Sequence, residues 1–390
     1  MRSTVGGVAV MVILMFFAAG GMVWYIGLRL RRWLGAVFQK EHFLGKWFWP
    51  LHAGLVLVPV GLGLFYKYSE WRLPQLVGSY VFGFVLLSLM LYLLCDAVHG
   101  ILRVTFFRGE RWKQRKTRII QISGAFVIAG SFFLTGYGAW TAWNAQTTEY
   151  RITVEKQTTL SQLNIVMVSD LHLGGIIGYE RMEKMVREIN ELHPDLVCIA
   201  GDLFDGNFNE IQEPEKISQL LRTIESRYGV FACWGNHDIG RTFGKMKSMI
   251  EDSGIILLED ECHEVGGLFT VAGRLDAKNA DLQKTDGPSF EDAMADIDPS
   301  LPVILLDHQP SRLEEDSAMG ADLVLCGHTH NGQIFPGNLV VALLNENAYG
   351  YSQKNGTHVI VSSGYGSWGP PVRLGSISEV VHITADFASN

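Results

Sequence analysis

The sequence is poorest in acid where it is most apolar: of its first 150 residues only 5 are Asp or Glu, against 15 Lys or Arg. Cysteine is scarce as well, 5 in 390 residues and an odd number, which excludes a fold built on disulfides. Cys198, Cys233 and Cys326 stand inside apolar runs, where cysteine behaves as a small buried hydrophobe. From residue 151 onward basic residues become the minority, 17 against 35 acidic ones, a net charge of −18. That surplus argues against a long nucleic acid as partner, because a phosphate backbone is bound through basic patches.

Formal charge is missing altogether from four runs, 5–28, 48–66, 76–95 and 119–140. Each is close to the roughly 20 residues an α-helix needs to cross about 30 Å of hydrocarbon. They predict an all-α, four-helix transmembrane region over 1–143, with Trp140 and Trp143 as interfacial anchors. Arg29, Arg31, Arg32, Lys40 and Lys46 fill the first loop, and Arg103, Arg108, Arg111, Lys113, Arg115, Lys116 and Arg118 the third. The second loop has only Lys67 and Arg72. Basic loops stay in the cytoplasm, so both chain ends are expected outside, in a multi-pass cell-membrane protein with an extracytoplasmic domain. Residues 144–150 are then a linker and 151–390 that domain. A rival reading takes the first run as a signal peptide with Ala18-Ala19-Gly20 as cleavage site, but it exports a loop with five basic residues.

Beyond residue 151, apolar strand-like runs end in polar clusters. Residues 165–169 run into Asp170-Leu171-His172, and 196–200 into Gly201-Asp202-Leu203-Phe204-Asp205. Residues 230–233 lead to Gly235-Asn236-His237-Asp238, 303–306 to Asp307-His308, and 323–326 to Gly327-His328-Thr329-His330. Helical periodicity over 180–192 and 215–227 separates the first strands, and 269–272, 358–362 and 379–384 supply further strands. Strand, polar loop, helix is the pattern of α/β architecture, whose sites form where strands end. Any one such ending is an ordinary turn or cap. Together they gather 5 of the 12 histidines at strand ends. Imidazole, carboxylate and amide oxygen suit Zn, Mn or Fe, and this many donors can hold two ions with a carboxylate between them, a hydrolytic centre.

The ordered set Asp170-x-His172, Gly201-Asp202-x-x-Asp205, Gly235-Asn236-His237-Asp238, His308 and Gly327-His328-x-His330 resembles the calcineurin-like metallophosphoesterases. The resemblance covers about 164–333, and the stretch 362–375 (SSGYGSWGPPVRLG) is similar to the ending of their membrane-anchored, multi-spanning bacterial branch. It implies a four-layer αββα sandwich of two mixed sheets, and two divalent metal ions, Mn, Fe or Zn. It further implies Asp170, His172 and His330 on one ion, Asn236, His308 and His328 on the other, and Asp202 bridging. Water activated there would attack phosphorus, His237 would protonate the leaving oxygen and Asp205 would orient His237. Asn331 stands where relatives often have glycine.

Trp368 and Arg373, in a Gly/Pro-rich loop, are candidate substrate-binding residues. The expected activity is hydrolysis of a phosphodiester, phosphomonoester or pyrophosphate, with a lipid-linked or envelope substrate and membrane lipids as neighbours. One alternative is an enzyme like the UDP-diacylglucosamine pyrophosphatase of lipid A synthesis, whose cytoplasmic substrate conflicts with this topology. The other is a metal-stabilised sensing module, whose signature would be a lost ligand or general acid.

Overall fold

The computed structural model describes residues 2–40, 44–65, 71–105, 110–276 and 289–388. They form two compact units that divide between Tyr137 and Gly138. The first is helical, with α1 (Arg2–Phe38), α2 (Phe48–Phe65), α3 (Arg72–Thr105) and α4 (Glu110–Trp143). Three helical stretches among the described residues are long and apolar enough to cross a membrane: Gly45–Phe65, Arg72–Thr105 and Arg115–Trp143. The expected count of four is therefore corrected to three. The first run, 5–28, lies within α1, but the side chains of 2–16 fall outside the described residues. Ile26, Val56, Val85, Tyr92 and Val127, from all four helices, make this unit's core. A buried hydroxyl pair there, Ser88 and Ser131, is satisfied by a 2.9 Å hydrogen bond.

The second unit opens with β1 (Gln146–Gln157), β2 (Gln162–Val168), α5 (Tyr179–Asn190), β3 (Leu196–Ala200), α6 (Pro214–Leu221), β4 (Val230–Cys233), α7 (Phe243–Asp252) and β5 (Ile256–Leu257). It continues with β6 (Glu261–Val265), β7 (Phe269–Gly273), α8 (Phe290–Ala295), β8 (Val303–Leu306), α9 (Leu313–Ala318) and β9 (Leu323–Cys326). It ends with α10 (Gly337–Leu344), β10 (Gly350–Lys354), β11 (Thr357–Val361) and β12 (Glu379–Ala388). Two six-stranded mixed sheets result, in the orders β1-β12-β2-β3-β4-β5 and β10-β11-β9-β8-β7-β6.

The two-residue side-chain period of a strand produces four layers. Ile165 and Met167 of β2, Cys198 of β3 and Phe231 of β4 pack against Phe269, Ile304, Leu323 and Ile360 of the other sheet. Their neighbours Val166, Val168, Val197, Ile199 and Ala232 point the opposite way, onto Met185 and Ile189 of α5, Ile217 of α6 and Met246 and Ile250 of α7. On the far side Val303, Leu305, Val324 and Val359 meet Phe290 and Met294 of α8 and Leu313 of α9. Strands buried on both faces need continuous apolar sequence, and β3, β4, β8 and β9 have it.

Two boundaries differ from the sequence expectation. Residues 146–150, assigned to a linker, belong to β1, which pairs in parallel with β12 from Gln146↔Glu379 onward. Only Asn144 and Ala145 therefore separate α4 from the sheet. The helix expected over 215–227 stops at Leu221, where the Thr223 backbone N–H and hydroxyl both turn back to donate to the Leu220 carbonyl.

Candidate metal centre

The C-terminal ends of β2, β3 and β4 in one sheet and of β8 and β9 in the other bring their polar endings together. Asp170, His172 and His330 form one group of donors and Asp202, His308 and His328 another, with the ligand atoms of each group within 4.8 Å of one another. His330 Nε2 lies 3.3 Å from Asp170 Oδ1, and His172 Nε2 lies 3.0 Å from His330 Nε2. Asp202 Oδ2 is 3.1 Å from His308 Nε2 and 3.9 Å from His172 Nε2, so this carboxylate reaches both groups. A third group, His172, Asp205 and His237, borders the first.

Local chain geometry fixes these positions. Gly327 ends β9 against Asp170, and a Cβ there would collide with Asp170 Oδ2. The next residue, His328, donates its backbone N–H to both Asp170 oxygens at 3.1 Å, and the Ser169 hydroxyl donates to Asp170 Oδ2 at 2.6 Å. His308 Nδ1 is 2.8 Å from the Ala200 carbonyl, which makes Nδ1 the donor and turns Nε2 into the site. Asp238, whose position in the motif carried no assigned role, accepts backbone N–H groups from Leu203, Phe204 and Gly235. It thereby ties the loop after β3 to the loop after β4.

Electrostatics separate the imidazoles. Burial pushes His172 down to about 3, and burial also holds His330 well below the usual histidine range. Both are neutral lone-pair donors at any physiological pH. Burial works against His308 as well, but the Asp202 carboxylate outweighs it and raises His308 to about 10. Burial likewise opposes ionisation of Asp202, and the His308 charge overcomes it to hold Asp202 far below the carboxylate range.

The donor set fits divalent cations. His172 Nδ1 and Asn236 Oδ1 are buried without a hydrogen-bond partner among the described residues. Buried lone pairs left in that state cost desolvation energy that a Lewis acid would return. Thiolate is not among the donors, and imidazole with carboxylate and amide is the set that suits Zn, Mn or Fe.

Two predicted substrate residues part company. Trp368 is exposed, with its ring 6.2 Å from that of His237. Arg373 is fully buried, and its guanidinium donates to the carbonyls of Ser363, Gly364, Gly366 and Ile377 and to the Ser376 hydroxyl. Its role is corrected accordingly: both Nη groups bond the chain behind His330, Nη2 also lies 3.4 Å from His330 Nδ1, and the side chain is too buried to face a substrate. Gln333, passed over in the sequence, fixes the Trp368 loop. Its Nε2 donates to the Trp368 and Pro370 carbonyls at 2.9 and 3.0 Å, and its Oε1 accepts from the Trp368 N–H at 2.9 Å.

Residues 163–332 match the calcineurin-like phosphoesterase family. An uncharacterized metallophosphoesterase of Aquifex aeolicus is 31% identical over 238 residues, 60% of this chain and 90% of that protein. The chain belongs to this family. An uncharacterized metallophosphoesterase of Helicobacter pylori is 33% identical to this phosphoesterase-family chain over 224 residues, 57% of it and 59% of the relative. A Bos taurus transmembrane protein with metallophosphoesterase domain is 33% identical over 239 residues, 58% of this chain and 53% of its own length. The chain thus spans little more than half the length of these last two relatives.

Proposed function

We propose that this chain is a multi-pass membrane phosphoesterase whose domain lies outside the cytoplasm and hydrolyses a phosphoester or pyrophosphate of a lipid-linked or envelope substrate. The observation that carries this reading is the convergence of Asp170, His172, Asp202, His308, His328 and His330 from the ends of four strands. Asp170, His172 and His330 would hold one divalent ion, Asn236, His308 and His328 a second, and Asp202 both. Bound there, such ions supply Lewis acidity that activates water and absorbs phosphoryl charge.

The chain's own groups do the rest. His237 presents Nδ1 to Asp205 Oδ1 at 3.8 Å, which leaves Nε2 to deliver a proton to the leaving oxygen. Asp205 orients that ring and also faces His172 Nδ1 at 3.9 Å. The exposed Trp368 ring beside His237 offers an apolar face to the leaving group. The basic loops between the helices favour the cytoplasmic side and so support an outward orientation of the domain.

The test is turnover of a chromogenic phosphodiester and a chromogenic phosphomonoester by detergent-purified protein, stripped by chelator and given back Mn, beside Asp202→Asn and His237→Ala. Metal-dependent hydrolysis lost in both variants is the expected result. Hydrolysis that survives chelation, or that Asp202→Asn retains, contradicts the proposal.

A further inference from the structure

The phosphoesterase unit buries its apolar side chains well, with one localised exception. From residue 138 onward, nine large hydrophobic residues are exposed among those described: Trp140, Trp143, Phe335, Leu339, Val340, Leu343, Leu344, Tyr351 and Trp368. Six of them belong to α10 and the chain on either side of the site, and two more are the tryptophans that end α4. Helix α10, GNLVVALL, carries no charge and buries none of its residues; Leu343 and Leu344 are 87% and 77% exposed. Scattered apolar residues on a surface are ordinary, but a contiguous set confined to one rim marks a surface that is covered in use.

The backbone ties this rim to the end of α4. Phe335, just before α10, donates its N–H to the Leu374 carbonyl at 2.7 Å. One residue earlier, Arg373 donates its N–H to the Gly138 carbonyl at 2.9 Å. A Cβ on Gly138 would collide with Val372, so glycine alone permits that approach. Gly138 lies within one turn of Trp140 and less than two of Trp143. At about 1.5 Å per residue the stretch Arg115–Trp143 exceeds the roughly 30 Å of hydrocarbon, and tryptophans at the end of such a span are the residues that favour headgroup depth. Two hydrogen bonds therefore link the chain before α10 to the last turns of α4.

The geometry points to α10, with Phe335 and Trp368, as a bilayer-docking face that seats in the lipid headgroup and upper acyl region. Apolar side chains flanked by aromatic residues are what the headgroup and acyl boundary takes up, to a depth of about 5–10 Å. His330 precedes Phe335 by five residues and Trp368 stands beside His237, so the docked face would hold the metal centre at the level of lipid phosphates. The phosphoester of a membrane lipid is then the substrate class within reach. That last step rests on the function proposed above; the docking does not.

Full-length protein tests it without reference to turnover. Leu343→Cys, in a background with the two incompletely buried cysteines changed (Cys95→Ser, Cys262→Ser), takes an environment-sensitive fluorophore. Leu344→Cys serves as a second site and Glu251→Cys, exposed on α7, as the reference. The protein is reconstituted in phosphatidylcholine/phosphatidylglycerol vesicles with and without spin-labelled lipid. Docking gives roughly threefold or more stronger lipid quenching at 343 and 344 than at 251. Equal quenching at all three overturns it. Shifted emission at 343 without lipid quenching also overturns it, because a protein surface then covers the helix. Wild-type hydrolysis of a chromogenic phosphodiester is read separately. Quenching with no hydrolysis supports docking and contradicts the phosphoesterase reading, and hydrolysis with no quenching does the reverse.

Discussion

Asp170, His172, Asp202, His328 and His330 all hold left-handed backbone, with φ between 48° and 71°. For residues other than glycine this conformation costs on the order of 1–3 kcal/mol each, and it collects where surrounding structure dictates the position of a side chain. Here it falls in the turns that close β2, β3 and β9, where the donors stand. Two consequences can be measured. His237 touches neither group of ligands as a donor, so His237→Ala should keep metal content in elemental analysis and lose about 10²–10⁴-fold in turnover. Asp202→Asn should lose metal and activity together. The proton on His308 gives a pH dependence: a ligating imidazole must be neutral, and Asp202 holds His308 charged up to about 10 in the ion-free protein. Apparent metal affinity should therefore rise up to about tenfold per pH unit between 6 and 9, with proton release in calorimetry. His172, pushed down to about 3, adds nothing to that slope. A flat profile would remove His308 from the ligand set. Arg373→Ala should leave KM for each accepted phosphoester unchanged while lowering the melting temperature, because it unpairs the carbonyls of Ser363, Gly364, Gly366 and Ile377.

At the level of elements, legibility follows burial. The limits of β3, β4, β8 and β9 could be read because each is an unbroken apolar run closed by glycine, aspartate or tryptophan. Strand β1 could not, since in QTTEYRITVEKQ only Ile152 and Val154 are buried and its partner β12 lies over 200 residues away. The site residues were legible through the ordered family motif; spacing alone suggested donors without saying which ion each would meet. Arg373 was misjudged because its residue type says nothing of the five acceptors that surround it. A short apolar segment such as α10 looks like core in the sequence, and only the structure reveals that none of its residues is buried. Core helices behave oppositely. Met185 of α5 is fully buried against β2 and β3, so Met185→Ala should cost about 2–5 kcal/mol of stability, seen as a fall in melting temperature.

For the whole molecule, the acidic domain and the basic-looped helices divide the work between chemistry and placement. Two residues, Asn144 and Ala145, lie between α4 and β1. The orientation argued from the loops gives a simple expectation: green fluorescent protein fused after Asn390 stays dark while alkaline phosphatase fused there is active, and the opposite pattern would put the domain in the cytoplasm. Everything else depends on the donors acting as two metal sites. The most direct measurement is anomalous scattering from crystals of the chelator-stripped protein soaked in Mn. Two peaks are expected, one among Asp170, His172 and His330 and one among Asn236, His308 and His328, with Asp202 touching both. A single peak, or peaks away from these residues, would contradict the account.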